Sequence, residues 1–229
     1  HTHADGVGNI DPTKLMRAAF LGAASAWYLA GLDAPQVPAL WEVVRRNSLE
    51  RAADALARSG RLRAMGERAE ADNLLRFDLA HEAAIVESLN RFAAVPPGVR
   101  ESADEHLAGL RRLVGISETK AAGTADIVYH RAPDPKGPMG GFGYDYFQDH
   151  IAQKGIAAPA LLQRTGLWGA GGDYTYEALN LVDGRRTVRE IRDALAAIYG
   201  PVPYPEVAEY LGDLETIGIL QREKSAHAP

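Results

Sequence analysis

The sequence predicts a mainly α protein: a helical hairpin or bundle, an irregular linker, and a small winged-helix-like domain at the C-terminal end. Three observations carry this. Apolar residues recur at helical three- and four-residue spacing through most of the stretch up to Val114. From Gly115 to Gly172 that period is lost and Gly and Pro accumulate. From Tyr174 the period returns in three short runs closed by turn residues. The divisions that follow are 1–34, 35–116, 117–173 and 174–229.

The first helix is expected to start at Asp11-Pro12, where the carboxylate accepts from the free amides of the first turn and the proline supplies a preset φ. Leu15, Ala19, Phe20, Ala23 and Trp27 continue it to Gly31. A second run, Leu40, Trp41, Val44, Leu49, Ala52 and Leu56, is expected to end near Gly60. A third, Leu75, Leu79, Ala83, Val86 and Leu89, keeps Arg76, Glu82, Glu87 and Arg91 on other faces and is stopped by Pro96-Pro97-Gly98. A shorter helix over 102–114 completes this region. In the linker, the aromatics of Gly140 to Phe147 read as anchors of a long loop. In the last region a short helix ends at Asp183-Gly184, and Thr187-Val188-Arg189-Glu190 spells a capping box. A third helix starts near Pro205, Gly218 closes it, and Ile219 to Arg222 reads as a strand.

Composition narrows the function. The chain has 229 residues, 46% of them hydrophobic and 24% charged, which is ordinary for a globular protein and excludes a disordered or fibrous one. A formal charge of -5 argues against a general nucleic-acid binder. Arg185, Arg186, Arg189 and Arg192 cluster near one helix start, yet Glu177, Asp183, Glu190, Asp193 and further acids around them outnumber the cations. The most apolar stretch, 18–32, is shorter than the ~20 residues a membrane span needs. With no cysteine, disulfides, thiolate chemistry and iron–sulfur clusters are excluded. The chain opens on His1 rather than Met or a signal peptide, which predicts a processed or truncated piece.

The concentrated site candidate is His1-Thr2-His3-Ala4-Asp5. Two imidazoles two residues apart point to one side of an extended segment, so both fit one metal ion, with the carboxylate as ligand or orienter. A solvated terminus or an expression-tag remnant fits the same residues. The other histidines are weaker: His81 and His106 lie within helices without a companion four residues away, His130 and His150 lie at or near the irregular stretch, and His227 is near the end. Gly140, Gly141 and Gly143 lack the strand–helix setting of a dinucleotide loop, and no Ser–His–Asp set is marked by spacing.

His1-Thr2-x-x-Asp5, followed by Ile10-Asp11-Pro12 and an Ala-rich helix, resembles the end of the catalytic domain of M28-family zinc aminopeptidases. Tyr176 to Leu220 is similar to a tail found in large bacterial members of that family. The resemblance implies an α/β parent domain ending near residue 34, zinc as cofactor with His1 as its last ligand, Asp5 as a supporting carboxylate and His3 at a variable position. It implies peptides with a free N-terminus as substrates and a secreted or periplasmic setting. The remaining ligands and the general-base glutamate have no counterpart here, so this chain alone is expected to be inactive. Gly6 departs from the threonine common after the motif's aspartate. The C-terminal module also resembles peptide-binding winged-helix domains of the PqqD type.

Two rivals stand beside this. His1-x-His3-x-Asp5 with Val7-Gly8 also resembles the metallo-β-lactamase-like signature, but Gly6 occupies the position of its last histidine and helices follow where strands belong. The other rival is a non-catalytic helical interaction module, with the helical region as a candidate homodimer surface.

Overall fold

The protein is mainly helical, as the apolar period predicts. A computed structural model describes residues 11–116, 126–135, 139–141 and 144–223. They fall into two compact units. Unit 1 holds the described residues up to Arg61 together with Leu75–Ile116; unit 2 holds Leu62–Leu74 and the described residues from Asp126 onward.

Unit 1 begins with α1, Pro12–Ala30. Asp11 caps it as its sequence demands, with Oδ1 accepting from the Thr13 amide at 2.9 Å and the Lys14 amide at 3.3 Å. Helix α2 runs over Val37–Ala64 and α3 over Arg68–Ser88. The expected stop at Gly60 does not occur: α2 passes through it, because one glycine costs a helix only about 1 kcal/mol, and the chain turns instead at Gly66, whose φ is +87°. Helix α4, Pro97–Val114, starts earlier than expected. The prolines that end the preceding segment also begin α4, since Pro97 occupies a first-turn position where no amide is needed. Val37, Trp41, Leu89, Val99 and Ala103 form an apolar seam between α2, the turn after α3, and α4.

Unit 2 is built on a larger apolar core. Helices α6 (Gly171–Asn180), α7 (Val188–Tyr199) and α8 (Tyr204–Thr216) bury Tyr174, Ala178, Ile191, Leu195, Val207, Leu211 and Leu214 against one another. Thr187 caps α7 through the expected box: its Oγ1 accepts from the Glu190 amide at 3.1 Å, and Glu190 Oε2 accepts from the Thr187 amide at 3.0 Å. Helix α8 ends at Gly218, φ +85°, where Gly218 donates to the Glu215 carbonyl and Ile219 to the Leu214 carbonyl.

The stretch 117–173 reads as a linker in the sequence, but its described part is packed into this core. Strand β1 (Tyr129–Arg131) pairs antiparallel with β4 (Leu220–Arg222), with Tyr129 opposite Arg222. Strands β2 (Gly140–Gly141) and β3 (Tyr144–Asp145) pair as a second small ribbon. Helix α5 (Tyr146–Gln153) and the turn at Ala160–Gln163 contribute Phe147, Ile151 and Leu161 to the core. Phe147 therefore is an anchor, as an aromatic in a long loop is expected to be, lying 5.1 Å from the ring of Tyr210. Glycines make the packing possible: a Cβ on Gly171 would stand 2.1 Å from the Leu162 carbonyl oxygen.

Candidate functional site

The sequence places its site at His1, His3 and Asp5, and all three lie outside the described residues. The first described feature downstream is the Asp11 cap of α1. Among the described residues no group of three or more His, Asp or Glu is placed to hold a metal ion. The described chain thus supplies no cage for zinc, and no chemical step through a metal follows from it.

Helix α1 presents an unusual surface for a helix of this composition. No residue of it is buried. Phe20 is 69% and Trp27 84% exposed, and Leu15, Met16 and Leu21 stand exposed with them. Its charges, Lys14 and Arg17, are confined to the first two turns. A helix that is apolar on all sides normally lies inside a larger body, not on a surface. Among the described residues no single helix is long and apolar enough to cross a membrane; α1 and the helical segment Ala34–Ala64 qualify by composition only as a pair, bent by 117°.

The other chemistry-bearing cluster lies among α2, α3 and α4. The Ser48 hydroxyl lies beside the Glu82 carboxylate and 2.9 Å from Nε2 of His106. Arg51 grips Glu82 with two bonds, Nε to Oε1 at 2.6 Å and Nη2 to Oε2 at 2.9 Å. Serine, histidine and a carboxylate together suggest a nucleophile, but the order is wrong for one. The carboxylate meets the serine and not the far nitrogen of the imidazole, and Ser48 and Glu82 are 2% and 1% exposed, with no room for a substrate. Burial alone would raise the Glu82 carboxyl; the bonds from Arg51 and the nearby Ser48 hydroxyl outweigh it and hold the group below its ordinary range. Burial, with Arg45 nearby, lowers His106, against the pull of Glu82. Asp78, one turn before Glu82, is raised by burial and by Glu82, and its Oδ2 is buried without a hydrogen-bond partner. Sequence reading places His106 within a helix, without a companion four residues away. It missed this set because Ser48 and His106 are 58 residues apart and neither sits in a motif.

The other described histidines pack against their neighbours. His81 stacks on Phe77 with centroids 6.4 Å apart. His150 stacks on Tyr146 at 3.6 Å, and its Nδ1 lies 2.7 Å from the Tyr146 carbonyl oxygen. His130 lies close against Gly184, where a Cβ would meet Nδ1 at 2.4 Å.

In unit 2, three of the four clustered arginines have internal work. Arg192 donates to the Val202 carbonyl at 2.6 Å and to the carboxylates of Glu70 and Asp193. Arg186 pairs with Asp183 at 2.8 Å, and Arg189 lies over the Tyr204 ring at 4.9 Å. Asp126 gathers the start of α7, with Oδ2 accepting from the Arg189 amide at 2.7 Å and Oδ1 from the Tyr204 hydroxyl at 2.7 Å. Burial opposes ionisation of Asp126, but these bonds prevail and keep its carboxyl below the usual range, while the Tyr204 phenol is pushed up to about 12 by burial and by that carboxylate. An open depression of about 560 Å³ runs past Val95, Pro97, Arg100, Glu101, Asp104 and Glu105 in unit 1. Arg100, Glu101, Asp104 and Glu105 place charges of both signs along it beside the apolar Val95 and Pro97.

Comparison with models of protein families, with curated proteins and with solved structures finds no match for this chain.

Proposed function

We propose that the chain is the C-terminal portion of an M28-like zinc-dependent aminopeptidase, in which α1 is the last helix of the catalytic domain and the rest forms accessory helices and a tail. One observation carries this reading: α1 follows the His1-Thr2-x-x-Asp5 and Asp11-Pro12 sequence, is apolar all round, and has no buried residue. A helix of that kind calls for a surrounding body, and an α/β peptidase core would be one. In such a protein His1 would be one zinc ligand, with Asp5 supporting it and His3 nearby. Zinc would supply an activated water and a polarised scissile carbonyl. The substrates would be peptides with a free N-terminus. The fragment alone would be inactive.

Unit 2 reads as a winged-helix-like module, supported by three short helices, tight turns and a terminal strand paired with β1. The internal engagement of Arg186, Arg189 and Arg192 and the acidic balance favour protein or peptide recognition over nucleic acid. A second reading, a non-catalytic helical interaction module, is favoured by the same exposed α1 if its cover is a partner protein or a second copy of the chain.

The test is to express the chain together with whatever its gene encodes ahead of His1, then measure bound zinc and release of N-terminal residues from a peptide. The peptidase reading expects both, and expects His1→Ala to lower both. An upstream sequence without an α/β segment and acidic ligands, or zinc content indifferent to His1→Ala, sinks it in favour of the interaction module.

A further inference from the structure

The outer face of α6 and the end of α7 form a surface of one chemistry. Asp173, Tyr176 and Glu177 stand three and four positions apart on α6, hence on one side of it, opposite the buried Tyr174, Thr175, Ala178 and Leu179. Tyr176 is 66% exposed, and among the described residues no cation pairs with either carboxylate. Tyr199, the last residue of α7, borders this face. Its ring leans on Tyr174 with centroids 5.3 Å apart and lies so close to Gly169 that a Cβ there would stand 2.6 Å from Cδ1. The Trp168 amide donates to the Tyr199 carbonyl at 3.0 Å, and the neighbouring Leu167 is exposed. Burial raises the Tyr199 phenol, and Glu177, Asp173 and Tyr176 raise it further, so all three lie within electrostatic reach of its hydroxyl. The negative end of the α7 dipole points to the same place.

We propose, resting on the reading of unit 2 as a protein- or peptide-recognition module, that this face docks an arginine-rich segment of a partner polypeptide, with a guanidinium lying on the Tyr176 and Tyr199 rings between the carboxylates of Asp173 and Glu177.

Two rings and two acids without a cation of their own form a complement to positive charge. A guanidinium suits both parts of the surface, since it stacks on a ring face while its fork meets a carboxylate, and its weak hydration lowers the cost of docking. Partners that carry phosphate are repelled, and the wider charge balance acts in the same direction: from Tyr144 to Glu223 the acids outnumber Lys and Arg. A bare metal ion does not fit, because among the described residues no group of three His, Asp or Glu is placed to hold one. Tyrosine is also the side chain that anchors interfaces well, being large, stiff and able to face water when unoccupied.

The experiment is fluorescence anisotropy with the whole chain and two labelled peptides of equal length, one alternating Arg with Gly and the other Glu with Gly, at physiological salt. The Arg peptide is expected to bind and the Glu peptide is not. Tyr176→Ser and Glu177→Gln are each expected to weaken binding roughly two- to five-fold, the worth of one exposed cation–ring contact or ion pair. Tyr176→Phe keeps the ring and is expected to retain the affinity. Glu223→Gln, which removes an equal charge beyond β4, is expected to leave it unchanged. Should Tyr176→Ser fail to fold, the isosteric Glu177→Gln decides. Binding of the Arg peptide that ignores both α6 substitutions, or that falls as much with Glu223→Gln, overturns this docking face and leaves unit 2 a recognition module. An Arg peptide held no better than the Glu peptide overturns the face as well, and failure of both peptides to bind overturns the recognition reading with it.

Discussion

Unit 1 and unit 2 hold their helices together by different means. In unit 2 the α6, α7 and α8 interfaces are mainly apolar; the buried Tyr174 hydroxyl donates from α6 to the carbonyls of Tyr199 and Gly200 at the end of α7, and Thr175 returns its hydroxyl to the Gly171 carbonyl of its own helix at 3.0 Å. In unit 1 the buried Ser48 and Glu82 bond from helix to helix, and no residue of α1 is buried. Apolar packing is close-packed and resists added volume, whereas a buried polar chain becomes a penalty when any charged or hydrogen-bonding member is removed. The protein therefore should fail abruptly on steric change in unit 2 and on charge change in unit 1. The sequence offers a convenient readout, because its three tryptophans lie in α1 (Trp27), in the unit 1 seam (Trp41) and in unit 2 (Trp168). Variants retaining one tryptophan each report the regions separately.

The largest effect is expected from Gly171→Ala. The added methyl would sit 2.1 Å from the Leu162 carbonyl oxygen and 2.8 Å from that of Leu161, both backbone atoms that cannot rotate away. A destabilisation of about 3 kcal/mol is expected in urea unfolding followed at Trp168. Loss below about 1 kcal/mol would show that the α6 interface slides freely and would remove the contrast between the units.

Arg51→Met tests unit 1. It leaves the Glu82 carboxylate buried without its cationic partner, and a cost of about 2–3 kcal/mol is expected at pH 7 by unfolding followed at Trp41. The pH dependence gives the sign. In the wild type the folded Glu82 carboxyl lies below its ordinary value, so its stabilisation is present above that value and lost as pH falls through the lower folded one. Without Arg51, burial becomes the dominant influence and raises the group, so the variant should recover stability relative to wild type as pH falls toward 5. A gap between the two that is constant from pH 7 to 5 would mean that Glu82 hydrates easily and that the polar chain is not tight.

A smaller effect belongs to features that the sequence announces. Thr187→Ala removes the cap of α7 and should cost about 1 kcal/mol at Trp168, with α7 otherwise intact because Val188, Ile191 and Leu195 stay buried. Caps of this kind were legible because they are complete within four residues: Asp11 with Thr13, Thr187 with Glu190, Gly218 with the α8 carbonyls. What escaped sequence reading is what spans distance. Asp126 reaches Arg189 and Tyr204 across 63 and 78 residues, Arg192 reaches Glu70 across 122, and Ser48 reaches His106 across 58. No local pattern distinguishes an aspartate that will be collected by a distant helix start from one facing water. The irregular period of 117–173 had the same cause: Phe147, Ile151 and Leu161 are core residues held by tertiary contacts, and no helical or alternating repeat points to them. The proposed metal residues were legible only as a motif, since His1, His3 and Asp5 lie outside the described structure.

The smallest effect is the most informative about function. Phe20→Ser and Trp27→Ser remove large apolar groups that touch little in this chain, so each should change the stability of the isolated chain by less than about 0.5 kcal/mol. The same substitutions placed in the chain joined to its covering body should cost several times more, since burial of such side chains contributes roughly 1.5–3 kcal/mol apiece. If α1 is the last helix of a peptidase core, that larger cost appears in unfolding of the extended protein and bound zinc falls with it. If a second copy covers α1, the cost appears instead as a weaker dimer in sedimentation, with zinc unaffected. A large loss in the isolated chain would mean that α1 is packed after all, and the strongest structural support for a missing partner would go with it.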